Sequence, residues 1–309
     1  MSRYITLIFL VFAFTVHAGE KVDKTLEFEN NGYIDISNIN GEITVASWNK
    51  PQVKVVGELS DTNDEFVFER EGNRISIEMR EKSGSGRKGD NLLITVPRHS
   101  NIKFESPNAT FAVSDIVGAI KVESVNGPVR LEKIEGPIRI ESINGKIESK
   151  EINGDAALES VNGAITLEDI VADSVKISAV NGSTRVQGTV HNLKIDSVSA
   201  HNELAIKELK NYQMHSVSAN SDLQLQLQKD ADVRIDSVAG NTKIEFLEKP
   251  SARFDIQFQV GGTVINKLTD DRPSEGKFGM GKNLSFTTGS GDGQISISTV
   301  QGRVELRQK

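Results

Sequence analysis

The sequence predicts an all-β protein folded as a flattened parallel β-solenoid, in which each turn of the chain, here called a coil, stacks on the previous one. Three observations support this fold class: a repeated six-residue motif, the spacing of small turn residues and the spacing of apolar residues. The motif has the pattern apolar, acidic, Ser, apolar, Asn, Gly in its first three copies and diverges in the later ones. The copies lie at residues 122–127, 140–145, 158–163, 177–182, 195–200, 214–219 and 235–240.

Small turn residues divide each coil into two halves. Further small residues stand between the first motif copies, so that one falls at every ninth position. They are Gly118, Gly127, Gly136, Gly145, Gly154, Gly163 and Ala172. Asn-Gly pairs and glycines are typical of turns between strands. We therefore expect coils of 18–19 residues, each built from two nine-residue half-coils.

The apolar residues indicate strands rather than helices. Between residues 120 and 143 they recur at intervals of two, three and four positions, which gives a period of nine. An interval of two is that of a strand with one buried face, and the helical intervals of three and four never form a continuous stripe. A left-handed hexapeptide solenoid, whose apolar residues recur about every six positions, fits this spacing less well.

The same repeat predicts which side chains stack on one another. We expect the apolar residue before each Asn-Gly pair, or its equivalent, to point inward as one row of the core. This row comprises Val125, Ile143, Val161, Val180, Val198, Val217 and Val238. An amide ladder at a corner is expected from Asn126, Asn144, Asn162 and Asn181. A positive φ is expected at the glycines that follow, Gly145, Gly163 and Gly182.

Charged residues of the repeat predict two parallel rows on the outside of the solenoid. Residues two positions apart on a strand share one face. An acidic row would therefore run beside a basic row, and together they form the candidate binding face. Its residues are Lys121, Glu123, Arg139, Glu141, Glu159 and Lys176. Neighbouring opposite charges favour a solvated, self-neutralising surface over a row of metal sites, so we expect no metal and no cofactor.

The N-terminus has the pattern of a secretory signal peptide. Residues 1–18 combine Arg3, an apolar run and a small-residue cleavage site before Gly19, and the run is too short to span a bilayer. We expect an extracytoplasmic protein with no transmembrane segment in the mature chain. The periplasm is the first expectation, with the cell surface or secretion as the alternative. The chain has no cysteine and a net charge of −7, which argues against disulfides and against a nucleic-acid partner.

The pattern changes along the chain and predicts four parts. They are a signal peptide (1–18), a β-rich N-terminal region (19–110), regular solenoid repeats (111–249) and terminal strands with a cap (250–309). The N-terminal region consists either of looser coils of the same solenoid or of a packed cap, because an open coil end exposes unpaired strand groups. The C-terminal segment is expected to close the rod.

Several segments together resemble the DUF4097 family, which is described as proposed adhesins with β-strand repeats. They are residues 34–45, the strand at residues 93–97, the Ser-Val-Asn-Gly copies and the closing segment at residues 293–302. The resemblance covers nearly the whole mature chain and implies an exported β-solenoid with an adhesive role and no catalytic residues. The later copies differ from the pattern, because Asn-Gly gives way to Ser-Ala after Gly182.

The sequence lacks the motifs that carry common catalytic chemistry. It contains no Cys, no His-Glu-x-x-His and no Gly-x-Ser-x-Gly pattern. The spacing of His191, His201 and His215 does not match the length of a coil, so these side chains are not expected to stack. We therefore predict a non-catalytic, adhesin-like protein that makes weak multivalent contacts with a glycan or a cell-envelope protein. The alternatives are a periplasmic accessory or scaffold of envelope-stress signalling and, less favoured, a polysaccharide lyase.

Overall fold

The computed structural model describes residues 20–29, 31–60, 63–81, 89–276 and 281–309. The predicted signal peptide lies outside these residues. The described chain consists of strands joined by short turns. It contains no helix with the length and apolar character that crossing a membrane requires.

The strands of the described residues follow one another with few intervening residues. They are β1 (Lys21–Glu27), β2 (Gly32–Ser37), β3 (Gly41–Trp48), β4 (Gln52–Glu58), β5 (Asn63–Glu71), β6 (Arg74–Glu81), β7 (Asp90–Pro97), β8 (Ser100–Ser106), β9 (Thr110–Val117), β10 (Ile120–Ser124), β11 (Val129–Glu135), β12 (Ile138–Ser142), β13 (Ile147–Asn153), β14 (Ala156–Ser160), β15 (Ile165–Ser218), β16 (Asn220–Ala239), β17 (Asn241–Phe246), β18 (Ala252–Asn266), β19 (Ser274–Glu275), β20 (Lys282–Thr287) and β21 (Gly293–Gln308). The length of β15 reflects strand pairing that continues around the corners of successive coils.

Strands one coil apart pair in parallel and form two walls. The first wall contains β2, β6, β8, β10, β12 and β14, and the second contains β3, β7, β9, β11 and β13. The longer strands β15, β16 and β21 contribute to both walls. In the first wall, Ile120 pairs with Ile138 and Ala156 pairs with Val175, so each residue stacks on its equivalent in the next coil. The predicted parallel β-solenoid and its coil length are confirmed.

The two walls enclose a narrow core of stacked apolar side chains. Ile120 and Val122 from the first wall and Ile134 from the second are almost completely buried. Aromatic rings join the walls near the ends of the solenoid. Phe104 of β8 stacks on Phe111 of β9 with ring centroids 4.1 Å apart. Such a core leaves each coil dependent on its neighbours for burial, as expected for a repeat protein.

At both ends, the spatial order of the coils differs from their order along the chain. β2 lies between β6 and β8, and β3 lies between β7 and β9. β21 likewise lies between β18 and the coil formed by β16 and β17. Antiparallel strands then cover the exposed edges: β4 and β1 follow β7, β5 pairs with β6, and β20 pairs with β18. Covered edges prevent the addition of other strands.

The division of the chain at residues 110 and 249, into an N-terminal region, regular repeats and a terminal cap, stays a prediction.

The asparagines of the motif form the predicted amide ladder along one corner. The side-chain amide of Asn144 donates to Oδ1 of Asn126 at 2.8 Å, and that of Asn162 donates to Oδ1 of Asn144 at 2.8 Å. Asn181 continues the ladder at 3.2 Å. Each Asn therefore accepts from the next coil and donates to the previous one, which reinforces the backbone register.

The row of apolar residues that was expected in the core points outward, so that prediction is wrong. Val125 is 37% exposed and Val217 is 50% exposed. Side chains alternate along a strand, and Val122 and Ser124 occupy the inward positions. The Ser124 side chain points inward, where its Oγ donates to the carbonyl oxygen of Gly127 at 3.0 Å. This hydrogen bond satisfies a buried acceptor of the turn. The next side chain then faces solvent. We call the outward row the exterior ridge: Val125, Ile143, Val161, Val180, Val198, Val217 and Val238.

The turn glycines are needed mainly for close packing between coils. Gly182 has the predicted positive φ, at 141°. Gly145 and Gly163 have no positive φ, so the prediction is wrong for these two. A Cβ added at Gly145 would instead lie 2.1 Å from the carbonyl oxygen of Gly127, far inside any real contact distance. The corner of one coil therefore rests directly on the corner of the coil before it.

Gly145→Val should destabilise the protein by about 1 to 3 kcal/mol, because the side chain would push two coils apart. Gly261→Val is the matched control, since a Cβ at Gly261 meets nothing within 4 Å. The free energy of unfolding from urea titration measures both effects. Equal stability of the two variants would contradict the close packing of the corners.

Candidate binding face

The six residues of the candidate binding face lie on the outside of the first wall. Strands β10, β12 and β14 place Glu123, Glu141 and Glu159 in register as a continuous acidic row. Lys121 and Arg139 are also in register, two positions earlier on each strand. The structure thus brings the acidic and basic rows side by side, as the period of two requires.

Ion pairs connect the two rows. Lys121 Nζ lies 2.6 Å from Glu123 Oε1. Arg139 Nη2 lies 2.7 Å from Glu141 Oε1 and 3.2 Å from Glu159 Oε1, so it bridges two coils. All of these side chains are exposed, and such pairs contribute only tenths of a kcal/mol each, about 0.2 to 1. The face is therefore largely neutralised by its own charges.

The same contacts shift the ionisation of the face. The hydrogen bond from Lys121 is the main reason that the pKa of Glu123 lies below its ordinary value, and partial desolvation opposes the shift. The hydrogen bond to Glu105 raises the pKa of Lys103, one coil earlier. Glu141 is the main cause of the raised pKa of Arg139. All three pKa shifts favour the charged form of the group concerned.

Lys176 differs from the other members of the basic row. Its neighbour one coil earlier is Ala157, and Ser178 replaces the acidic residue two positions later. Among the residues that the structure describes, none forms an ion pair with Lys176. This interruption leaves one uncompensated ammonium group beside a small side chain. A ligand with an anionic group could approach the wall at this position.

A shallow groove of about 490 Å³ runs along this part of the first wall. Small residues such as Ala119, Pro137 and Ala157 line it, with the cationic row at its side. Tyr33 stands at the N-terminal end, half exposed, with the Arg74 guanidinium 5.2 Å from its ring centroid. The groove therefore combines an apolar floor, one aromatic ring and several cations.

No candidate metal centre is found in the described part of the chain. It contains no group of three or more His, Cys, Asp and Glu residues placed to hold a metal ion. His201 stacks on Asn220 and His215 stacks on Asp236, so these histidines do not face one another. His191 lies between two carboxylates, with Nδ1 3.2 Å from Asp173 and Nε2 3.5 Å from Glu208. Exposed, separate histidines with one or two acidic neighbours are ordinary surface contacts.

The exterior ridge is a surface feature that was not predicted from the sequence. The signal was present, because the inward positions Val122 and Ser124 already fix the alternation at the corner. An outward apolar residue in seven consecutive coils is unusual for a surface that is otherwise charged.

The family model for Toastrack DUF4097 matches residues 32–307, which spans the first wall, the second wall and both ends. The chain belongs to the Toastrack DUF4097 family. No curated protein matches this chain in sequence.

Several solved structures are similar to this family member. A proposed adhesin from Parabacteroides merdae has a TM-score of 0.45 and 7% identity, and the match covers 93% of this chain and 96% of that chain. A proposed adhesin from Bacteroides fragilis has a TM-score of 0.36 and 12% identity, with 94% and 97% covered. A proposed cell adhesion protein from Clostridium sporogenes has a TM-score of 0.25 and 10% identity, with 94% and 100% covered. Similarity at this level identifies no function.

Lys121→Ala should raise the pKa of Glu123 toward its ordinary value, because the main stabilising hydrogen bond is lost. A folded-state pKa below the unfolded one stabilises the protein above the unfolded-state pKa, and that contribution disappears as pH falls through the folded-state pKa. The variant should therefore lose a small part of the acid dependence of its stability. NMR titration of the Glu123 carboxyl carbon measures the shift, with Lys176→Ala as the control. An unchanged Glu123 pKa in Lys121→Ala would contradict the assigned cause.

Proposed function

We propose that this chain is an exported, non-catalytic, adhesin-like binding protein that recognises an extended glycan along its first wall. The observation that supports the proposal is the repetition of the same charged groups along a shallow groove, from Lys121 and Glu123 to Lys176. A catalytic site needs unlike groups that converge on one place. A surface that repeats the same groups gains affinity through many weak contacts.

The ligand chemistry follows from the groove. Small residues on the floor admit a flat, extended chain, and the exposed part of Tyr33 offers an apolar surface to a sugar ring. Ion pairs occupy Lys121 and Arg139, whereas Lys176 is available for an anionic substituent. We therefore propose an acidic polysaccharide, such as one that carries uronic-acid carboxylates.

Export through the segment at residues 1–18 is part of the same proposal, with the periplasm as the first destination and the cell surface or the medium as the alternative. The predicted cleavage before Gly19 supports it. Mass spectrometry of the protein recovered from each cell fraction tests this part, and recovery only from the cytoplasm with residues 1–18 intact would contradict it.

Lys176→Ala should weaken binding to an acidic polysaccharide by a few-fold, because it removes the available cation. Arg139→Ala should also weaken binding, because it leaves Glu141 and Glu159 without their cation beside the groove, and the double variant should weaken it further. Arg185→Ala is the matched control. Arg185 is equally exposed and pairs with Glu203 at 2.7 Å, but it lies on the second wall. Biolayer interferometry with an immobilised uronic-acid polysaccharide and its neutral counterpart measures the effect.

Three results would contradict the proposal in whole or in part. Equal loss of binding in Arg185→Ala would show that overall charge, and not the first wall, attracts the glycan. Release of unsaturated sugar products that one substitution eliminates would favour the lyase. Binding to a cell-surface protein but to no polysaccharide would keep the binding role and reject the glycan.

A further inference from the structure

The exterior ridge is a continuous apolar row that no part of the described chain covers. Its seven residues are 37 to 50% exposed, and each stands one coil from the next. Val300 of β21 continues the row at the C-terminal end, beside Val238. Single exposed apolar residues are common on soluble proteins, but an aligned row of this length marks an interaction surface.

A groove of about 630 Å³ lies beside the C-terminal half of the ridge. Its floor is formed by short side chains such as Ala179, Ser197 and Ser216, which point inward. Its far side is formed by the outward row that includes Asp196 and Asp236. The N-terminal coils carry glutamates in that row, whereas the C-terminal coils carry Ser178, Asp196, His215 and Asp236. A ridge and a groove therefore run parallel to each other on one face.

We propose that this face binds a second copy of the same chain, side by side and in the same direction. A two-fold axis parallel to the rod, placed between ridge and groove, brings the ridge of each copy into the groove of the other. An isologous contact requires such a self-complementary patch. An antiparallel pair would instead place ridge against ridge.

The repeat spacing supports a second copy as the occupant. Successive coils are about 4.8 Å apart, so a partner contacts every residue of the exterior ridge in the same way only if its own repeat has this spacing. A second copy of this chain has the same spacing. The groove accompanies the ridge from Val180 to Val300, a length of about 19 Å, and a width of four residues gives roughly 500 Å² buried in total. This is less than a stable interface buries, so the dimer is expected to be weak and reversible.

The charges at the groove are compatible with such a contact. Asp196 lies 3.2 Å from Lys194, and Asp236 lies 3.5 Å from His215 Nδ1. The carboxylates therefore have basic side chains as neighbours within their own copy and need no charged partner in the other. Anionic lipid surfaces fit less well, because an acidic row flanks the ridge.

The first experiment is sedimentation equilibrium of the wild-type protein, which should show a monomer–dimer equilibrium. Val198→Glu with Val217→Glu should raise the dimer dissociation constant at least about tenfold, because two charges would enter the groove of the partner. The milder pair Val198→Thr with Val217→Thr should raise it less while keeping side-chain volume. Val171→Glu is the matched control, since Val171 is 54% exposed on the second wall.

A second experiment determines the direction of pairing. The chain has no cysteine, so single-cysteine variants at Lys121, Lys176 and Arg234 can each carry one spin label. A parallel dimer gives the same label-to-label distance at all three positions. Distances that differ between the three positions, as an antiparallel pair gives, would overturn the proposal, as would a strictly monomeric wild type or equal weakening by Val171→Glu. The proposal does not depend on the glycan, and loss of glycan binding with the dimer intact would leave it standing.

Discussion

Backbone hydrogen bonding between residues one coil apart is the interaction on which the rest of this structure depends. The amide of Ile120 donates to the carbonyl of Pro137, and the amide of Ile138 donates to that of Asp155 in the next coil. Because this register repeats from coil to coil, each residue type stacks on its own equivalent. Apolar rows, the amide ladder, the charged rows and the exterior ridge all follow from that single constraint. Close contact at the corners, where Gly145 rests on Gly127, keeps the register from slipping.

The stacking of equivalent residues becomes less regular where the motif diverges. Coils lengthen in the C-terminal half, as the pairing of Ser221 with Thr242 shows. Polar residues enter the core there, including Thr184 and Asn202, which are fully buried. Asn202 Oδ1 has no hydrogen-bond partner among the described residues, and such a group costs about 1 to 3 kcal/mol. The groove beside the exterior ridge lies in the same coils, so the most divergent part of the rod also carries this outer groove.

The sequence was sufficient for the period, the parallel stacking and the charged rows, because all three depend on local spacing. It did not predict which side chains point inward at the corners. Val125 looks like a core residue by its hydrophobicity, yet the inward position is taken by Ser124, which satisfies the turn. The order of the terminal coils could not be predicted either. β2 pairs equally well with β6 and with β8, and nothing local decides that it lies between them. Such long-range pairings depend on which arrangement leaves no edge uncovered.

The most direct test of this account compares thiol reactivity at two neighbouring positions in the native protein. The chain has no cysteine, so Ile140→Cys and Ile143→Cys each introduce a single thiol. Ile140 is fully buried, whereas Ile143 is 45% exposed. Labelling with a maleimide should be rapid at position 143 under native conditions and should require unfolding at position 140, with cooperative thermal unfolding of both variants as the control. Comparable protection of the two thiols, or protection of position 143 alone, would contradict the stacking register and the outward ridge.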